Sequence, residues 1–341
     1  MANIIIPKAW QIRGLRPTEE SDYYNRREIL KRLGIATGGL LAAAPLINAC
    51  SPAAEKKAVE EATAEPIASK GGDFSFEGIN QYFPATRNEK YTIDRPLTDE
   101  EIATTHNNFY EFITPGDPDI YNVHEHVDQF DTSEWEIEVT GLAAKTGKFD
   151  LADWIKRFGQ EERVYRFRCV ERWSMAVPWT GFPLAQLVKY LEPSNGAKFI
   201  RFYSASRPEQ MPGVKNQDWY PWPYTEGLRM DEAMNELAMC VTGIYGKVLP
   251  KQHGAPMRII TPWKYGYKNP KSIVKIEFTD EQPATFWNTI RADEYPFLSN
   301  VDPEVPHPRW SQAVEKMIPD GEERPTLKYN GYGELVGALY S

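Results

Sequence analysis

Apolar and polar residues alternate over several short stretches of the chain. Runs at 135–140, 164–169, 198–203, 256–261 and 272–278 place every second residue apolar, a period of two that predicts half-buried strands. Helical spacing is rarer, at 151–158, 183–191 and 230–235. The 27 prolines fall largely between these runs and predict long irregular connections. Strands and helices do not alternate in βαβ fashion, so the expected class is α+β with mixed sheets and long loops. Loops rich in Trp, Tyr, Arg and Lys suit a large buried ligand.

The first 49 residues follow a different pattern. Asn25-Arg26-Arg27-Glu28-Ile29-Leu30-Lys31 precedes an uncharged stretch from Leu33 to Cys50 rich in Ala and Gly. A charged segment before a mild apolar one predicts a secretory signal, and the paired Arg26 and Arg27 resemble the twin-arginine signal that exports folded proteins. The apolar run falls short of the roughly 20 residues that a span needs, although retention as an anchor stays open. Leu46-Ile47-Asn48-Ala49-Cys50 looks like a lipobox, so Cys50 is a candidate lipid anchor, with simple cleavage nearby as the alternative. Residues 50–73 are rich in Ala, Glu and Lys and predict a tether. A single catalytic domain is expected over 74–341, with no second linker and no internal repeat.

Charge and cysteine content narrow the function. The net charge of −9 argues against a nucleic-acid binder, which needs clustered Lys and Arg. The three cysteines, Cys50, Cys169 and Cys240, follow no CxxC spacing, so neither a disulfide framework nor a four-cysteine zinc site is expected. No c-type haem motif, Walker A loop, HExxH or strand-linked GxGxxG is present.

Cys169 ends the run Val164-Tyr165-Arg166-Phe167-Arg168. Alternation puts Tyr165, Phe167 and Cys169 on one face and the arginines on the other. Positive charge nearby would favour the thiolate, a soft ligand for transition metals, but a lone cysteine needs a cofactor to complete a metal's coordination. Read from the residues alone, a small packed side chain, a nucleophilic thiol and a metal ligand all stay open. Cys240 lies in an apolar strand and is expected to pack. His124-Glu125-His126 has a spacing that could seat a metal on a strand, with a solvated loop as the alternative. The stretch 219–224 is expected at the rim of a cleft.

Longer motifs add a resemblance. Arg168-Cys169-Val170-Glu171, Trp173-Ser174-Met175 and Pro178-Trp179 through Gly181-Phe182-Pro183-Leu184 resemble the molybdopterin-binding core of the sulfite oxidase superfamily, and within it the catalytic subunits of bacterial periplasmic methionine-sulfoxide reductases. Asn107-Asn108-Phe109-Tyr110-Glu111, Arg207–Gly213, Tyr224–Arg229, Gly254–Lys268 and His307–Gln312 agree in colinear order. The resemblance implies one molybdenum bound by one pterin dithiolene, with Cys169 as the protein ligand. It implies cofactor contacts from Asn107, Tyr110, Glu111, Ser204, His253, Arg258, Asn269, Pro270 and Lys271. His253 stands where Asn is familiar and Ser204 where Thr is, but both can still hydrogen-bond, while Pro270 lacks an N–H. Glu171 is expected either to relay protons at the metal or to pair with Arg168 or Arg172. Trp263 and Tyr265 are candidates for a thioether pocket or for core.

The implied activity is reduction of methionine sulfoxide, free or in oxidised envelope proteins. Sulfite oxidation, another S- or N-oxide substrate, or a non-catalytic ligand-binding lipoprotein are the alternatives. The chain carries no electron-transfer motif of its own, so the resemblance implies a haem-containing membrane subunit fed by quinol. The expected location is the periplasm. The short segment after Phe278 argues for a monomer apart from that partner.

Overall fold

The computed structural model describes residues 71–113 and 122–341. The expected export signal, Cys50 and nearly all of the tether lie outside the described residues. The first described α-helix, α1 (Glu100–Thr105), is capped by the Asp99 carboxylate, which accepts from two amides of its first turn.

Strands β1 (Glu136–Gly141) and β2 (Gly147–Asp150) lead into α2 (Leu151–Phe158). The Asp150 side chain caps that helix through the Ala152 amide, and Gly159 at φ 67° ends it. Strands β3 (Glu161–Arg168) and β4 (Trp173–Pro183) form a hairpin and pass into α3 (Leu184–Leu191). There follow β5 (Phe199–Ser204), α4 (Pro212–Asn216), β6 (Thr225–Arg229), α5 (Met230–Ala233), β7 (Met239–Ile244), β8 (Lys247–Val248), β9 (Arg258–Ile260) and β10 (Ile273–Thr279). Helix α6 (Phe286–Arg291), β11 (Val314–Met317) and β12 (Glu323–Pro325) complete the elements used below.

These strands make two mixed sheets. One has the order β2-β1-β10-β5-β6, with only β1 and β10 parallel. The other runs β12-β11-β4-β7-β8, with β3 added on β4 and β9 on β7, and is parallel only between β11 and β4. This is the α+β architecture expected from the pattern. All five predicted strands and all three predicted helices form, with ends shifted by a few residues.

Strand β4 is the main addition. Its first ten residues are buried on both faces, so its sequence shows no alternation, and Pro178 and Pro183 further obscure it. Gly181 sits at a register shift in the β4–β7 pairing, where any Cβ would collide with the Cys240 carbonyl. Cys240 itself is fully buried in β7, as expected. Strand β3 corrects the one-face reading: Arg168 is as completely buried as Tyr165, because Gln312, Glu315 and Thr326 from later in the chain pack around it. His124 and Glu125 lie in a 3₁₀ turn, not a strand. Among the described residues, no three His, Cys, Asp or Glu side chains gather as a metal site.

Candidate active site

The β3–β4 hairpin turns through Val170, Glu171 and Arg172. The Cys169 amide donates to the Trp173 carbonyl at 2.9 Å, and the Arg172 amide donates to the Cys169 carbonyl at 3.1 Å. Arg172 has φ 78°, so it fills the left-handed position that closes a three-residue hairpin loop and that usually favours glycine. Its guanidinium donates to the Val314 carbonyl at 3.2 Å, which ties the loop to β11. This turn sets Cys169 at the hairpin's mouth.

The thiol opens on a cavity lined by both polar and aromatic side chains. Five distant segments wall it: Asn107–Glu111, Phe167–Trp173, Tyr224, Gly266–Lys271, and Trp287 with Tyr295. Eight of the expected site residues line this one space: Asn107, Tyr110, Glu111, Cys169, Glu171, Asn269, Pro270 and Lys271. Ser204, His253 and Arg258 are buried but do not line it. Trp263 is core, donating to the Tyr340 hydroxyl at 2.8 Å, and Tyr265 faces a neighbouring pocket. Of the stretch 219–224, Tyr224 reaches the cavity, while Trp219 is exposed and Tyr220 packs on Phe286 and Trp287.

Around the sulfur the charges differ from the expectation. Arg168 donates to the Cys169 carbonyl, not the thiol, and to Gln312 Oε1 at 2.8 Å, with Glu315 3.6 Å away. Gln312 and the Trp310 indole each donate to the Val170 carbonyl at 2.8 Å. The arginine holds the loop's backbone, and its charge favours the thiolate without touching the sulfur. Burial, and after it the Glu171 carboxylate, pushes the Cys169 thiol well up. A thiolate there requires a bound metal's charge.

Glu171 Oε2 lies 3.9 Å from Cys169 Sγ. It accepts from Asn108 Nδ2 at 2.8 Å and from the Trp173 indole at 3.1 Å. Opposite, Lys271 Nζ donates to the Asn108 carbonyl at 2.8 Å. Burial raises the Glu111 carboxyl and lowers the Lys271 ammonium, each opposed by the other's charge. Gly254, at φ 93°, lies against Lys271 where a side chain would strike it.

The sequence comparisons agree with this geometry. Residues 124–287 match the family model described as the oxidoreductase molybdopterin binding domain. The protein-methionine-sulfoxide reductase catalytic subunit MsrP of Burkholderia mallei is 43% identical over 95% of this chain and 91% of its own. The chain belongs to this reductase family. The MsrP of Pseudomonas syringae pv. tomato is 46% identical over 76% of this chain and 77% of its own. Among solved structures, the sulfane dehydrogenase SoxCD of Paracoccus pantotrophus covers 83% of this chain and 66% of its own at 17% identity, with a TM-score of 0.40.

The family implies a molybdenum–pterin group, and the residues present fit one. Arg258 Nε, Ser204 Oγ, Asn108 Oδ1 and the Trp179 indole N–H are buried without protein hydrogen-bond partners, a costly arrangement unless a ligand or ordered water supplies them. The His253 ring nitrogens lean toward the Ala103 and Thr104 carbonyls without good hydrogen-bond geometry. Arg258 lies over the Trp179 ring at 5.1 Å, and the His253 ring is 6.3 Å from that ring, so these donors are neighbours. Asn269 and Pro270 play supporting parts. The Asn269 amide accepts from Thr261 and donates to the Gly266 carbonyl, and the Pro270 carbonyl accepts from the Ile259 amide at 3.0 Å.

Sequence reasoning missed Tyr267, Trp287 and Tyr295 in the lining, and it missed Trp179 behind it. Trp179 lay inside a recognised motif. Trp287 and Tyr295 had no signal, since neither periodicity nor spacing links them to Cys169.

Proposed function

We propose that the protein is a molybdopterin-dependent oxidoreductase that reduces methionine sulfoxide to methionine. The observation that carries this reading is a buried Cys169 thiol opening, beside a Glu171 carboxylate 3.9 Å away, on a cavity walled by the expected cofactor residues in a chain of this family. Cys169 would hold the metal, while Arg258, Lys271, Asn107, Tyr110 and Ser204 would hold the pterin and its phosphate through donors and fixed cations. When bound, the group supplies two-electron oxygen-atom chemistry at the metal.

The chain's own residues supply the rest. Reducing a sulfoxide to a thioether and water consumes two electrons and two protons. Glu171 is the carboxylate nearest the sulfur ligand, and Asn108 and Trp173 hold it in place, so it is the residue positioned to deliver a proton.

The setting of the enzyme is part of the same reading. Arg26 and Arg27 support export of the folded, loaded protein to the periplasm, and Cys50 supports a lipid anchor. Electrons reach the single molybdenum–pterin centre from a haem-containing membrane subunit linked to quinone. Oxidised envelope proteins are the substrates, and the catalytic subunit is otherwise a monomer. Metal analysis of the purified protein, with dye-coupled methionine sulfoxide reduction run beside sulfite oxidation, tests the proposal. Stoichiometric molybdenum with sulfoxide turnover is expected. Sulfite turnover without sulfoxide reduction, or no molybdenum at all, would overturn it.

A further inference from the structure

We infer that Trp287 and Tyr295 set the enzyme's substrate preference, closing an aromatic collar over the cavity that admits a neutral, alkyl-bearing sulfoxide and disfavours oxyanions. The inference rests on the sulfoxide-reductase reading above.

The collar is continuous. Tyr110 and Trp287 meet edge to face at 5.1 Å, Trp287 and Tyr295 at 5.1 Å, and Tyr295 and Tyr267 edge to face at 5.2 Å. All four rings line the cavity with Cys169 and Glu171. Trp287 and Tyr295 are half-buried, so they have both a packed side and an open one. They are also fixed in place. Phe286 stacks on Tyr224 at 4.9 Å, Asn288 Nδ2 donates to the Tyr295 carbonyl at 2.9 Å, and the Tyr295 amide donates to the Arg291 carbonyl at 2.9 Å.

The chemistry of the collar selects its guest. Ring faces are electron-rich. They favour polarised methyl groups and sulfur over anions, and a sulfur–ring contact contributes about 0.3–1.5 kcal/mol. A methionine sulfoxide side chain is uncharged and presents an S-methyl and a γ-methylene on either side of a positively polarised sulfur. With those groups against the rings, its oxygen points away from them. A sulfite-like dianion would meet four aromatic rings and the Glu171 carboxylate. Lys271 is the one cation among the described lining residues, and the Asn108 carbonyl already engages it.

The test is steady-state kinetics of the loaded enzyme and its Trp287→Ala, Trp287→Phe and Tyr295→Ala variants. The substrates are a methionine-sulfoxide-containing unstructured peptide and dimethyl sulfoxide, with molybdenum content measured for each protein. Trp287→Ala and Tyr295→Ala should each raise KM for the peptide by about tenfold, while kcat changes less than about threefold. KM for dimethyl sulfoxide, which has no side chain to grip, should rise less. Trp287→Phe should recover most of the loss. Unchanged peptide KM in fully loaded alanine variants overturns the collar. A wild-type enzyme that reduces no sulfoxide overturns the underlying reading instead.

Discussion

Glu171 addresses Cys169 twice: its amide N–H points to the Cys169 sulfur at 3.5 Å, and its carboxylate Oε2 stands 3.9 Å from the same atom. The three-residue hairpin loop makes both contacts possible, since it folds the residue two positions on back over the ligand. Asn108 and Trp173 then fix the carboxylate from two other segments. A proton-delivering group placed this way differs from a structural one in what its loss changes.

Glu171→Gln keeps the shape and an acceptor oxygen but removes the ionisable group. Molybdenum content and sulfoxide KM should stay close to the parent's, while kcat falls by about 100-fold, the usual scale for a lost general acid or base. Stopped-flow and steady-state assays on protein of measured metal content check this. An unchanged kcat at full loading would remove Glu171 from proton delivery.

Cys169→Ser replaces a soft sulfur with a hard hydroxyl of similar size. The hairpin is held by main-chain bonds and by Arg168, Gln312 and Trp310, so the variant should fold. It should lose the metal's visible absorption and at least about 100-fold in turnover, more than a supporting residue would cost. Full turnover in this variant would mean that another group holds the metal.

How much of this was legible beforehand depended on whether a feature was local. Helix α2 was readable because Asp150, Gly159 and its apolar face are all within a few residues of one another. The alternating strands β1, β5 and β10 were readable for the same reason. Strand β4 was not, since burial on both faces erases the period that marks a strand. At the site, motifs gave Cys169 and the cofactor segments. The direction of Arg168 was not legible, because its partners Gln312 and Glu315 come from the far end of the chain. That long-range pairing aims the guanidinium at the loop's backbone, so it acts on the thiol through charge alone and not through contact.

His253 gives the protein a predictable acid sensitivity. Burial holds its imidazole neutral, with the pKa lowered to about 3, and lowers that of His106 to about 4. Free histidine binds its proton near 6.5. Between about pH 6.5 and 3 the unfolded chain therefore carries more protons, and stability falls as pH falls, whereas above about 6.5 the contribution is complete. His253→Asn removes the larger of the two shifts and should reduce the stability lost between pH 7 and 5 by about 1–2 kcal/mol. Urea unfolding of both proteins at the two pH values measures it. Identical losses would show that His253 is not held neutral by the fold.

Tyr340, one residue from the C-terminus, completes a buried polar network. Its hydroxyl donates to Glu232 Oε1 at 2.5 Å and accepts from the Trp263 indole at 2.8 Å. Glu232 pairs with Lys264 at 2.5 Å, both almost wholly buried, and Lys264 also donates to the Leu298 carbonyl and to Asn300 at 2.8 Å each. Tyr340→Phe leaves the ring in place but strands the Trp263 N–H and takes one donor from a buried carboxylate. Such orphaned groups cost about 1–3 kcal/mol, and that is the expected drop in unfolding free energy. None of these residues lines the Cys169 cavity, so turnover per bound molybdenum should not change. Denaturant titration gives the first quantity and a metal-normalised assay the second. Full stability in the phenylalanine variant would mean that the ion pair is satisfied without the C-terminal tyrosine.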